Sequence, residues 1–90
     1  MAFIAMRTRN DGYVEAVNLD LVAHVHAEYG LEDEAVAVPS EVYLVLRMRG
    51  DQHVTRYVPI DGSGREYLKE DDAENAVRNF VLAANRYQGR

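Results

Sequence analysis

Two histidines and a carboxylate at alternating positions come nearest to a chemical motif in this sequence. His24, His26 and Glu28 are two residues apart, so in a β-strand they would project from one face. Neutral imidazoles and a carboxylate are a common donor set for zinc or manganese. His53 would add a fourth ligand only if the fold brought it close. We favour the simpler interpretation, the solvent face of a half-buried strand, and predict no metal and no other cofactor.

A set of arginines in β-rich segments gives a second candidate, an anion-binding surface. Its members are Arg7, Arg9, Arg47, Arg49 and Arg56, with Tyr57 or Tyr13 as an aromatic ring beside them. On adjacent strands, such guanidinium groups would bind phosphate or carboxylate, and the ring would stack on a base. The alternative is that the arginines form ordinary exposed ion pairs with Asp11, Glu15 or Asp51, which contribute little to stability.

An acidic region gives the third candidate, a surface for a protein partner. Residues 10–41 contain eight acidic residues and no lysine or arginine. Such a region is typical of a solvated loop. It would also suit an acidic inhibitor that binds a basic protein, with an apolar centre at residues 35–38. The residues of this predicted partner surface are Glu32, Asp33, Glu34, Val36 and Val38.

Composition and motifs argue against several classes of protein. The sequence has no Gly-x-Ser-x-Gly, no His-Glu-x-x-His and no cysteine, so we predict no enzyme, no disulfide and no thiolate metal site. A net charge of −5 argues against general nucleic-acid binding but allows a local basic patch. No segment has the roughly 20 apolar residues that cross a bilayer, and the first residues lack the features of a signal peptide. We therefore expect no membrane association and a cytoplasmic location.

The elements that must position these residues are organised around residues 41–60. An apolar run at 42–46 is followed by Gly50-Asp51 and a second β-rich run, which predicts a hairpin. A two-residue loop would place Leu44 opposite Tyr57, whereas a slip of one residue would place it opposite Val58. An Asn-Asp-Gly turn at 10–12 predicts a first hairpin.

The segment 21–28 is open to two interpretations. Its apolar and polar residues alternate, which is typical of a half-buried strand. A short helix capped by Asn18 is the alternative, and we favour the strand because the alternation spans the whole segment. Residues 71–87 predict a helix, with Asp71 and Glu74 at its start. Its apolar stripe consists of Ala73, Ala76, Val77, Phe80, Val81, Ala84 and Tyr87.

The sequence thus predicts one α+β domain over residues 1–90, an antiparallel sheet of four to five strands built from two hairpins, with one C-terminal helix on one face. The strands are expected at residues 3–9, 13–17, 21–28, 42–49 and 53–60. Apolar residues occupy both odd and even positions of 42–46, so both faces of this strand would have to be covered, whereas one helix can cover only one face of the sheet. We therefore expect a non-catalytic interaction module that self-associates, most simply as a homodimer.

The order of these elements resembles the small FlbD-like proteins associated with bacterial flagellar genes. The resemblance rests on a hydrophobic strand, the Asp11-Gly12 turn, the run at 17–20 followed by Val22 and Val25, the Gly50 turn, and a helix opened by acidic residues. This chain departs from the pattern at residues 31–40 and 61–66. The resemblance implies a strand at 21–28 and a non-enzymatic regulatory role, and it assigns no functional residue.

Overall fold

The computed structural model describes residues 2–9, 11–30, 41–67 and 72–88. It confirms the predicted α+β class, with antiparallel strands and one C-terminal helix. The elements are β1 Phe3–Arg7, β2 Val14–Asn18, a 3-10 turn Leu19–Leu21, β3 Val22–Gly30, β4 Glu41–Met48, β5 Val54–Tyr57 and α1 Ala73–Gln88. Within the described residues, no helix is long and apolar enough to cross a membrane.

The five strands divide into two sheets rather than one. β1 pairs with β2, and β3, β4 and β5 form a second sheet in that order. The two sheets meet where β1 passes β5. There the Arg9 backbone N–H donates to the Arg56 carbonyl and the Val58 N–H donates to the Arg7 carbonyl, both at 2.9 Å. At this crossing the described residues form one isolated β-bridge, between Thr8 and Tyr57, which is too short to make the two sheets continuous.

Both predicted hairpins are present, and their turns use glycine at positive φ. Gly12 has φ 72° and Gly50 has φ 80°, a backbone conformation that residues with a Cβ rarely adopt. β4 and β5 pair in the register of the two-residue loop, with Leu44 opposite Tyr57 and Val45 opposite Arg56. This register decides which side chains of β5 face the core.

Residues 22–28 of the segment 21–28 belong to a strand, as predicted, whereas Leu21 is the last residue of the 3-10 turn. β3 begins at Val22 and pairs with β4, after a register shift between Val22 and His24. The Asn18 side chain does cap a helical turn, since it accepts a hydrogen bond from the Asp20 N–H at 3.0 Å. That turn is a single 3-10 turn, because Val22 is already extended, with φ −72° and ψ 117°.

Helix α1 covers the core with most of the predicted stripe, because Ala76 and Phe80 are buried and Ala73, Val77 and Ala84 are half-buried against the core. Ala76, Phe80 and Ala83 are its buried residues. Val81 and Tyr87, which the apolar pattern assigned to the stripe, are 43% and 46% exposed. The helix presents small alanines on both sides of Phe80, which lets its backbone approach the strands closely. The cap is Asp72, whose carboxylate accepts from the Glu74 N–H at 2.9 Å, and the predicted first residue at 71 lies outside the described residues.

The second face of β4 is covered within a single chain. Val45 points away from the main core cluster, yet it is 1% exposed. Its neighbours across the ladder are His26 on β3 and Arg56 on β5, so the side chains of adjacent strands bury it. A second copy is therefore not needed to cover Val45, so the apolar residues on two faces of β4 do not by themselves require a dimer.

Candidate functional site

The histidine set lies on one face of β3, as its spacing predicts. The His24 and His26 ring centroids are 5.3 Å apart, and His26 Nε2 is 3.4 Å from Glu28 Oε2. Among the residues that the structure describes, no three histidine or acidic side chains could hold a metal ion. His53 lies in the β4–β5 turn, where its backbone N–H donates to Asp51 Oδ1 at 2.9 Å. The set therefore forms a polar surface over Val45.

The predicted arginine set does not converge on one site. Arg7 pairs with Glu66 through its Nε and donates from Nη1 to the Gly12 carbonyl at 2.6 Å. Arg9 and Arg56 instead lie over the Tyr43 ring, at 4.7 and 5.6 Å from its centroid. The contact with Tyr43 also raises the pKa of Arg56 above its ordinary value. Two of the five arginines thus meet at a tyrosine that the prediction did not include as a binding residue.

The remaining two arginines lie towards the other end of β4. Arg47 is exposed and pairs across the ladder with His24 and Val54. Arg49 is exposed and follows β4, and its backbone N–H donates to the Leu21 carbonyl at 2.6 Å. The cation–π contacts with Tyr43 are made by Arg9 and Arg56.

The prediction that Tyr57 offers a ring for stacking is wrong. Tyr57 lies on the core face beside Leu44 and is 5% exposed. Its hydroxyl donates to Glu15 Oε2 at 2.9 Å. Burial and the neighbouring Glu15 carboxylate raise the pKa of Tyr57 to about 12. Tyr57 is thus a structural link between β5 and β2, whereas Tyr13, the other predicted ring, is 73% exposed.

The predicted acidic partner surface cannot be located. Glu32, Asp33, Glu34, Val36 and Val38 all lie outside the described residues. The prediction of a contact for a basic protein therefore stays a prediction.

Strand β2 presents an unpaired edge that the sequence analysis missed. On either side of β2, the Thr8 N–H donates to the Tyr13 carbonyl at 2.8 Å and the Leu19 N–H donates to the Ala2 carbonyl at 2.9 Å. The odd-numbered residues of β2 therefore point their backbone N–H and C=O groups towards β1. Because these directions alternate along an antiparallel strand, Val14, Ala16 and Asn18 point theirs away from β1. No strand in the described part of the chain pairs with β2 on that side.

Four exposed apolar residues lie on the outer face of the β1–β2 hairpin next to this edge, and Arg7 and Asn18 lie on the same face. Phe3 is 48% and Val14 is 56% exposed, and Ala5 and Ala16, which are exposed, lie opposite each other between them. We call these four residues the hairpin outer strip. The sequence did contain a signal for this strip, because β1 has apolar residues at both odd and even positions. Ile4 and Met6 face the core, so Phe3 and Ala5 face outward. What the sequence did not show is that β2 has no neighbour on its second side.

No protein-family model, curated protein or solved structure matches this chain. The site must therefore be interpreted from its own geometry.

Proposed function

We propose that this protein is a non-catalytic interaction module that forms a homodimer by pairing strand β2 with β2 of a second copy. The observation that carries the proposal is the unpaired β2 edge lying next to the hairpin outer strip. A non-catalytic role is also what the resemblance to small FlbD-like regulatory proteins implies.

The composition of the edge supports an interface. Strands at the edge of a sheet are commonly protected from pairing by charged residues, by proline or by a bulge. The three residues whose backbone groups point outward here are Val14, Ala16 and Asn18, and none of them is charged or a proline. The one charged residue of β2, Glu15, turns towards Tyr57 instead. An uncharged, regular edge is suited to accept another strand.

An antiparallel pair of identical strands has a two-fold axis, so the same surface serves both copies. With the axis at Ala16, this residue lies opposite its own counterpart, and Val14 lies opposite Asn18 of the second copy. Each of the three residues has one backbone donor and one acceptor, so the pairing would form about six hydrogen bonds. The two outer strips would join into one apolar surface across the axis, with Phe3 and Val14 contributing most of its area.

The axis makes a charge-exchange experiment the sharpest test. In the variant Ala16→Lys, two lysines would face each other across the axis, and the variant Ala16→Glu would oppose two glutamates in the same way. We expect each variant alone to be monomeric by light scattering at concentrations where the wild type has twice the chain mass of 10.2 kDa. An equimolar mixture of the two should form a dimer again, because opposite charges then face each other. Val81→Lys, at an exposed apolar position on α1, is the matched control and should stay dimeric.

Two results would contradict the proposal. One is a wild type that remains monomeric at high concentration. The other is a dimer whose mass both Ala16 variants leave unchanged, because that dimer would use another surface.

The two alternative functions have weaker support. A ligand-binding or nucleic-acid-binding role for the arginines on the sheet is weakened because Arg7 is engaged by Glu66 and because Tyr57 is buried. Strong dependence of binding on salt would favour that role. An acidic inhibitor that binds a basic partner depends on residues outside the described part of the chain.

A further inference from the structure

The loop that follows β5 and the last turn of α1 line a half-open pocket away from the residues predicted from the sequence. Its volume is about 510 Å³, and it is lined by Ser63, Gly64, Arg65, Arg86 and Tyr87. Ligand pockets in proteins commonly have volumes of about 300–1,000 Å³. We propose that this pocket binds a small organic molecule through an oxyanion group, either a phosphate or a carboxylate.

The loop side of the pocket is held in a defined conformation by Asp61. Its Oδ1 accepts from the Ser63 N–H at 2.8 Å, from the Ser63 hydroxyl at 2.6 Å and from the Arg65 N–H at 3.0 Å. The Asp61 N–H donates to the Arg65 carbonyl at 2.7 Å, which closes the loop. These hydrogen bonds lower the pKa of the Asp61 carboxyl. The backbone that carries Arg65 is therefore ordered before any ligand binds.

Gly64 fixes the loop against the helix. Its φ of +90° is a conformation that glycine adopts readily. A Cβ at this position would lie 3.2 Å from Tyr87 Cε2 and 3.3 Å from Ile4 Cδ1, closer than normal packing. The loop thus lies directly on the Tyr87 ring. Because both walls of the pocket are in contact here, Arg65 and Arg86 are held on the same pocket although they are far apart in sequence.

The charge in the pocket favours an anion. Both guanidinium groups are on exposed residues, and neither forms an ion pair with another described residue. Asp61 attracts Arg65, and Asp20 accepts a hydrogen bond from Gln88 at the last turn of α1. However, no ion pair joins either carboxylate to Arg65 or Arg86 among the described residues. Guanidinium groups bind phosphate and carboxylate through paired N–H donors. The Tyr87 hydroxyl at the pocket wall adds a further donor.

Titration followed by the amide NMR spectrum tests this site in the intact chain. The probes are glycerol 3-phosphate, inorganic phosphate and citrate, which separate a phosphate ligand from a carboxylate one. We expect saturable shifts of the Ser63, Gly64 and Arg65 amides with at least one probe. Arg65→Gln and Arg86→Gln should each weaken that binding by about tenfold or more, as loss of a charge-assisted pair does.

Arg78→Gln is the matched control, because it removes the same charge from α1 at a residue that pairs with Glu74 instead. It should weaken binding less than about twofold, the size of a general charge effect at moderate salt. The proposal is overturned if no probe gives a saturable shift. It is equally overturned if all three arginine variants weaken binding alike, because binding would then follow net charge. Unchanged amide spectra outside the pocket show that each variant is folded.

Discussion

The hydrogen bond between Tyr57 and Glu15 is the most informative interaction to remove, because it joins the two sheets through side chains. In the variant Tyr57→Phe the aromatic ring stays in the core while the hydroxyl that donates to Glu15 Oε2 at 2.9 Å is lost. Glu15 would keep its charge and turn to water. The variant therefore isolates one hydrogen bond that holds β2 against β5.

The expected loss of stability follows from the kind of hydrogen bond that is removed. A hydrogen bond to a charged group contributes about 1.5–3 kcal/mol to the free energy of unfolding. This contact is only partly buried, so solvent screens it, and we expect a loss of about 1–2 kcal/mol at neutral pH.

Urea unfolding at several pH values is the assay. The tyrosine is harder to ionise in the folded protein than in the unfolded chain. Its stabilising contribution is therefore complete below about pH 10 and is lost as pH rises towards 12. The difference in stability between wild type and Tyr57→Phe should be constant up to pH 9 and should shrink above pH 10. Tyr13→Phe, which alters a tyrosine that is 73% exposed, is the control and should change stability by less than about 0.5 kcal/mol.

The reasoning is refuted if Tyr57→Phe is as stable as the wild type at neutral pH. It is also refuted if the difference between the two proteins does not depend on pH between 9 and 12. The first result would mean that the hydroxyl and the carboxylate do not interact in solution. The second would mean that Tyr57 ionises as readily in the folded protein as in the unfolded chain.

Two further predictions concern the core and the pocket loop. Leu44→Ala removes a side chain that is 0% exposed, and we expect it to lower the free energy of unfolding by about 2–5 kcal/mol. The control Leu21→Ala, at a 47% exposed position, should lower it by less than about 1 kcal/mol. Equal losses in urea unfolding would contradict this placement of the core. Because the pKa of Asp61 is lowered, the acid-induced change in the Ser63 amide shift should have its midpoint below pH 3.8, and a midpoint above that value would contradict the loop geometry.

The parts of the fold that sequence predicts well here are those decided by local backbone chemistry. Gly12 and Gly50 both take the positive φ that their turns require. The β4–β5 register is the one predicted for a two-residue loop, with Leu44 opposite Tyr57, although the strands end at Met48 and Val54 and the turn is closed by the Asp51 N–H donating to the Met48 carbonyl. The alternation at 21–28 correctly predicts that His24, His26 and Glu28 share a face, but the register shift after Val22 places Val22 on the core side with Val25 and Ala27.

The parts that sequence does not predict are those decided by contacts between distant segments. The burial of Tyr57 depends on where β2 brings Glu15, and the apolar pattern of β5 carries no information about β2. The apolar pattern of α1 includes Val81 and Tyr87, which are 43% and 46% exposed, and it omits Ala83, which is buried, because the edges of the stripe depend on where the strands lie. The pocket joins two segments that no local pattern connects.

Amide hydrogen exchange at β2, measured at two protein concentrations, tests the proposed dimer most directly. The N–H groups of Val14, Ala16 and Asn18 point away from β1, so in a monomer they should exchange rapidly. If two copies pair through β2, exchange at these positions should slow as concentration rises and the native mass approaches twice 10.2 kDa. A dimer in which these amides still exchange rapidly, or a chain that stays monomeric, would contradict the account.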